Sequence, residues 1–228
     1  MRAAFLQRPP TYKAVPQTWN VADVLKLFVN MGPPQRLSLR DLSKKTLGLI
    51  ALLSVKRFSD LTLLDVRPQF CCVSRRKVIL QPKFGAKQER QGHATPLITL
   101  LAVHNKALCP VSHIREYIDR TANIRQDSSF FCITVPPHLA ASKNTLRTWM
   151  VQLLAEAGIE APAGSTRAAA ATIAHAARVP LPAILRCGDW SSAVNLYKHY
   201  TRQIPAEVIT ALLRQNSNPV QDAVMRLV

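Results

Sequence analysis

The sequence predicts an α+β fold, mainly α: a helical core with a small three-stranded antiparallel sheet on one edge. Two observations carry this expectation. Apolar residues recur at three- and four-residue intervals in segments at both ends of the chain. Between residues 69 and 100 that period gives way to short β-branched and apolar runs separated by turn residues.

The elements follow in order. Residues 1–18 are rich in proline and positive charge and read as a flexible basic arm. Asn20 is placed to cap VADVLKLFVNMG, in which Val21, Val24, Leu25 and Phe28 share one helical face before Gly32-Pro33 stops it. Ser38 and Asp41 form a capping-box pattern that opens a second helix through about Val55. The end of that helix, LGLIALLS, is apolar all round, which marks it as buried. Beyond Pro68, strands are expected over 69–73, 77–81 and 94–100, with the basic segment KFGAKQERQGH at 83–93 as an exposed connection. After Cys109-Pro110 the chain returns to helices, at 111–121, 142–157, 166–177, 180–187, 191–200 and 206–214. In the second of these Leu146, Trp149, Met150 and Leu153 fall on the side expected to be buried. Residues 19–214 thus read as one domain and 215–228 as a tail or short helix.

Composition narrows the function classes. Hydrophobic residues make up 48% of 228, enough for a sizeable core. Lys and Arg number 30 against 13 Asp and Glu, a net charge of +17. Such an excess points to a polyanionic partner, nucleic acid first and an anionic membrane surface second. No run approaches 18 apolar residues and no basic amphipathic helix stands out, so no membrane role is expected. The N-terminus MRAAFLQRPP lacks an apolar signal core, which argues against secretion. Five cysteines without a C-x-x-C pair, and histidines 93, 104 and 113 without zinc-finger spacing, read as reduced thiols in an intracellular protein with no metal or cofactor site.

Chemistry on a phosphodiester sets a specific demand. It takes two cations at the non-bridging oxygens, a nucleophile in line with the leaving oxygen, and a proton donor for that oxygen. Arginine matches the first need because its planar fork stays charged and binds phosphate bidentately. A tyrosine nucleophile keeps the bond energy in an aryl ester, and a lysine of lowered pKa can give the proton. The candidates are Arg57, Lys87, Arg167, Trp190 and Tyr200. Lys83 competes with Lys87, Tyr197 competes with Tyr200, and Trp190 could equally be core.

What singles these out is a family resemblance carried by the residues around them. LLSVKRFSDLTLLDV resembles the first arginine box of the tyrosine recombinases, the phage-integrase family, and sets Arg57 in its arginine position. VILQPKFGAK resembles the strand and turn that bear the family's lysine, which favours Lys87. SKNTLRTWMVQLLAEAGI followed by GSTRAAAAT resembles the second arginine box and sets Arg167. GDWSSAVNLYKHYTR resembles the box holding a His-or-Trp and the nucleophile, hence Trp190 and Tyr200. TWNVADVLKLF and CPVSHIREYIDRT further resemble the recombinases of DIRS-type retrotransposons. The resemblance implies the catalytic-domain fold of that family and a nuclear enzyme of a mobile element. It also implies DNA cutting and rejoining through a 3′-phosphotyrosyl intermediate, with self-association on DNA.

Two departures qualify what the resemblance implies. The family's second box reads H-x-x-R, and the histidine position here is Gly164, which cannot handle the nucleophile's proton. Only about 35 residues precede the capping box, so the helical module that precedes the family's catalytic domain is expected to be absent or reduced. Both departures would suit a degenerate copy, and a catalytically inactive DNA-binding remnant is the alternative reading. His175, just over two turns beyond Arg167, reads as a structural histidine.

Overall fold

The structure, a computed structural model, describes residues 18–83 and 96–191 together with Ala193 and Leu196. The expected arm at 1–18 (apart from Thr18), the connection at 84–93, the helix at 206–214 and the tail lie outside these residues. So does the helix at 191–200, apart from Ser191, Ala193 and Leu196.

Helix α1 (Val21–Met31) begins where the Asn20 side chain accepts a hydrogen bond from the Ala22 N–H at 3.0 Å. It ends at Gly32, whose φ of 78° suits a residue without Cβ. Its buried face is Val21, Val24, Leu25 and Phe28, the stripe its spacing predicts. A single 3₁₀ turn (Pro34–Arg36) leads to α2 (Leu39–Ser54), where Ser38 Oγ accepts from the Asp41 N–H at 3.1 Å.

Helix α2 is the axis of the molecule. Leu42, Leu47 and Ile50 are fully buried, and α4, α5 and α6 all pack against it. At Gly48 a Cβ would fall 2.7 Å from both Leu153 and Phe28, so α5 and α1 approach the α2 backbone as closely as glycine allows. Lys45 is also fully buried on α2, and its ammonium donates to the carbonyls of Phe28 and Gly32, each at 2.6 Å. Those two carbonyls sit at the exit of α1, where backbone acceptors lack intrahelical donors, so Lys45 serves as a C-terminal cap from a neighbouring helix.

The last residue of this run, Val55, adopts the left-handed conformation (φ 53°, ψ 22°) while its N–H still bonds Ala51 O at 3.2 Å. A β-branched residue rarely holds that conformation. It stops the apolar helix and turns the chain sharply into Lys56, Arg57 and the short helix α3 (Phe58–Leu61). Helix α3 and the 3₁₀ turn were not expected from the sequence, being too short to display a period.

The sheet is antiparallel in the order β1 (Cys71–Val73), β2 (Lys77–Leu80), β3 (Ile98–Leu101). Cys71 pairs with Leu80, and Leu80 with Ile98. Cys71, Val78, Leu80, Ile98 and Leu100 face the core, as alternation requires. Strand β1 begins two residues later than expected, because a turn closed by the Phe70 N–H on Arg67 O occupies 67–70. Helix α4 (Pro110–Thr121) covers the sheet, and Arg115 donates to Ser74 O in the first hairpin turn at 2.8 Å.

Helices α5 (Lys143–Glu156), α6 (Ser165–Ala176) and α7 (Leu181–Gly188) complete the described fold. Leu146, Trp149, Met150 and Leu153 are the buried side of α5, joined by Leu154. Helix α6 is buried through Thr166–Thr172 because its alanines let it lie close against α2.

Candidate active site

Two turns of chain, far apart in sequence, meet between α2 and α6. One leaves the left-handed residue Val55 and carries Lys56 and Arg57; the other enters α6 through Gly164, Ser165, Thr166 and Arg167. Ala51, Lys56, Arg57, Phe58, Gly164, Thr166 and Arg167 line a cavity of about 180 Å³ between them. Its volume is well above the ~10–15 Å³ that admits one water, and its lining is cationic.

Each arginine is held by its own device. The Arg57 backbone N–H donates to Asp60 Oδ2 at 3.2 Å, and its guanidinium lies 3.9 Å from the same oxygen. Asp60 is buried, so the carboxylate fixes the backbone turn and leans the guanidinium without enclosing it. Arg57 Nη1 is buried and makes no hydrogen bond among the described residues. Arg167 is buried in the first turn of α6; its Nη2 donates to the carbonyl of Gly188, and its guanidinium lies over the Trp190 ring at 4.2 Å. A Cβ at Gly188 would overlap the Trp190 ring, so glycine there is what lets the indole lie flat against the end of α7. The Trp190 backbone N–H closes the turn onto Leu185 O at 2.9 Å.

The start of α6 is pinned from outside. Trp19 Nε1 donates to Ser165 Oγ at 2.8 Å, and that hydroxyl donates to Pro162 O at 2.7 Å. Gly164 is the N-cap residue and offers no side-chain cap. A Cβ placed there meets nothing within 4 Å, and its φ of −62° suits any residue. An arginine in the first turn also opposes the helix dipole, a penalty that an anion at the same helix end relieves.

The sequence candidates therefore divide. Arg57 and Arg167 line one cavity, and Trp190 is the platform under Arg167. Lys87, Tyr197 and Tyr200 lie outside the described residues. Lys83, the competitor of Lys87, does not line the cavity; its ammonium pairs with buried Asp65 at 3.4 Å. Burial opposes the Asp65 charge, yet hydrogen bonds from Arg67, Ser128 and Lys83 hold its pKa down at about 2. His175 is exposed on α6 and is not part of the lining.

Sequence reasoning missed Lys56 and Thr166, both buried cavity residues whose side-chain Nζ and Oγ1 make no hydrogen bond among the described residues. Burial depresses the Lys56 pKa, an effect that Arg167 reinforces and that Asp189 and Asp60 oppose. The available signal was position: Lys56 directly follows a helix end that is apolar on every side.

With this geometry in hand, solved structures of similar fold can be compared. No family model matches the chain, and no curated protein matches it by sequence. By structure it is similar to the XerH site-specific recombinase bound to its difH substrate in a pre-cleavage complex (TM-score 0.61, 15% identity, covering 88% of this chain and 55% of that one). It is similar to the XerA recombinase (TM-score 0.62, 13% identity, 93% and 68%). A lambda integrase dimer bound to a COC′ core site gives a TM-score of 0.54 at 12% identity, over 87% of this chain and 64% of that one. The fold is that of a tyrosine recombinase catalytic domain. The mainly helical α+β architecture with its edge sheet, expected from the sequence, is this fold, and the chain spans about half the length of the XerH protein it matches.

Proposed function

We propose that the protein is a DNA strand transferase of the tyrosine recombinase type, encoded by a mobile element of the DIRS kind and acting in the nucleus on double-stranded DNA. The observation that carries this reading is the convergence of Arg57 and Arg167, more than a hundred positions apart, on one cavity. Two guanidinium groups lining one cavity suit the non-bridging oxygens of one phosphodiester. The +17 charge supplies the general attraction to duplex DNA that such a site needs.

In this reading the phosphate docks between Arg57 and Arg167, with Trp190 holding Arg167 in place. Tyr200 attacks in line, a phosphotyrosyl ester forms on the 3′ side, and Lys87 protonates the departing 5′ oxygen; these two roles rest on the sequence resemblance. A 5′ hydroxyl from a second duplex then reverses the step, so the reaction runs within an assembly of several copies on DNA.

Gly164 favours a second reading, a DNA-binding remnant without turnover. It occupies the cavity wall where the family's pattern has histidine, and loss of one such group typically costs ~10²–10³ in rate. One experiment separates the two. Nicked duplexes enriched for binding from a random-sequence pool are incubated with the parent, Gly164→His and Tyr200→Phe proteins, and covalent protein–DNA adduct is measured. Strand transfer predicts adduct in the parent, at least tenfold more in Gly164→His, and none in Tyr200→Phe. Salt-sensitive binding with no adduct from the parent or Gly164→His identifies the remnant.

A further inference from the structure

Lys56 has no role in the reading so far. It is 3% exposed, its Nζ makes no hydrogen bond among the described residues, and it lines the same cavity as Arg57 and Arg167. The nearby carboxylates, Asp189 and Asp60, favour its ammonium through space without hydrogen bonding it, while Arg167 opposes it. Asp60 is already engaged by the backbone and guanidinium of Arg57. A buried ammonium in this state is costly, and a leucine following an apolar helix would avoid that cost. Nor does Lys56 brace the fold as Lys45 does, since it donates to no carbonyl among the described residues. What would satisfy it is an acceptor inside the cavity.

We propose that Lys56 is a third cation of this site, binding an oxygen of the phosphodiester alongside Arg57 and Arg167. The proposal rests on the reading of the cavity as a phosphate site. A compact ammonium complements two planar guanidinium groups, because lysine supplies a point charge where arginine supplies a directional fork. Thr166, whose buried hydroxyl also lacks a hydrogen bond among the described residues, adds a neutral donor on the α6 side.

The test is isothermal titration of the full chain with inorganic phosphate, comparing the parent with Lys56→Met, Arg167→Met and Lys26→Met. Lys26 is exposed on α1 and reports the loss of general charge. Lys56→Met is expected to weaken phosphate at least tenfold while raising the melting temperature, with Lys26→Met within twofold of the parent. Parent-like affinity in Lys56→Met, alongside a tenfold loss in Arg167→Met, overturns the role of Lys56 and leaves the phosphate site standing. Parent-like affinity in Arg167→Met, or no phosphate binding by the parent, removes the site reading and the proposal together. Should Lys56→Met fail to fold, acylation of the parent's lysines read by mass spectrometry decides. Phosphate is expected to slow labelling of Lys56 at least threefold and leave Lys26 unchanged, and equal labelling of Lys56 with and without phosphate overturns the proposal.

Discussion

Two lysines on neighbouring stretches of the same chain, Lys45 and Lys56, are equally hidden from water and opposite in circumstance. Lys45 meets two carbonyls and the face of Phe28 at 5.7 Å from the ring centroid, and it closes the end of α1. Lys56 meets no acceptor among the described residues and fronts a cavity shared with two arginines. Burial alone therefore does not tell what a charged side chain is for. A buried cation whose donors are consumed by backbone acceptors belongs to the scaffold, and one whose donors are unspent is open to a ligand.

Truncation is the bluntest way to break this contrast. Lys45→Met strips two carbonyls of a charged donor and should cost about 3 kcal/mol in chemical denaturation. Lys56→Met removes an unsatisfied buried charge and should gain roughly 1–3 kcal/mol. Changes of the same sign in both variants would end the distinction.

The pH dependence sharpens it on the scaffold side. His113 is fully buried on α4, its Nδ1 lies 2.8 Å from Cys109 O, and burial, reinforced by the nearby Lys45 charge, pushes its pKa down to about 4. In the unfolded chain the ring titrates near ~6.5. The unfolded state therefore takes up a proton that the folded state refuses, so the neutral ring's contribution is full above pH 6.5 and lost as pH falls to 4. Denaturation at stepped pH should show about 3 kcal/mol of this loss, absent in His113→Gln.

The mildest expected effect lies at the cavity's far support. Gly188→Ala forces the Trp190 ring off the end of α7 and off Arg167, an overpacking that should cost about 1–2 kcal/mol of stability. Because Arg167 loses its platform, phosphate affinity should fall several-fold by the same titration, while the Lys45 region is untouched. An unchanged affinity would mean that Trp190 packs beside Arg167 without orienting it.

How much of this could be read from the residues alone depends on range. The stripe of Val21, Val24, Leu25 and Phe28, the caps at Asn20 and Ser38, and the alternation in the strands are local patterns, and the structure carries them out as written. Helix α3 escaped because four residues cannot show a period. Lys56 escaped because a lysine beside an arginine is ordinarily solvated, and its burial depends on α6 closing over it from more than a hundred residues away. The stacking of Arg167 on Trp190 is likewise a tertiary fact: the sequence offers both residues without indicating that one lies across the other. Lys87 and Tyr200 were legible only through family resemblance, and they fall outside the described residues.

The left-handed turn at Val55 sets the heading of both cations that follow it. Were residues 55–57 to continue α2 in right-handed geometry, each step would swing its side chain about 100° round the axis, and neighbouring charges would point to different sides of the helix. Instead one unfavourable pair of dihedral angles redirects the main chain, so that an ammonium and a guanidinium, adjacent in sequence, share one hollow. The orientation of this cationic cavity is thus written in the backbone of a hydrophobic residue that does not line it.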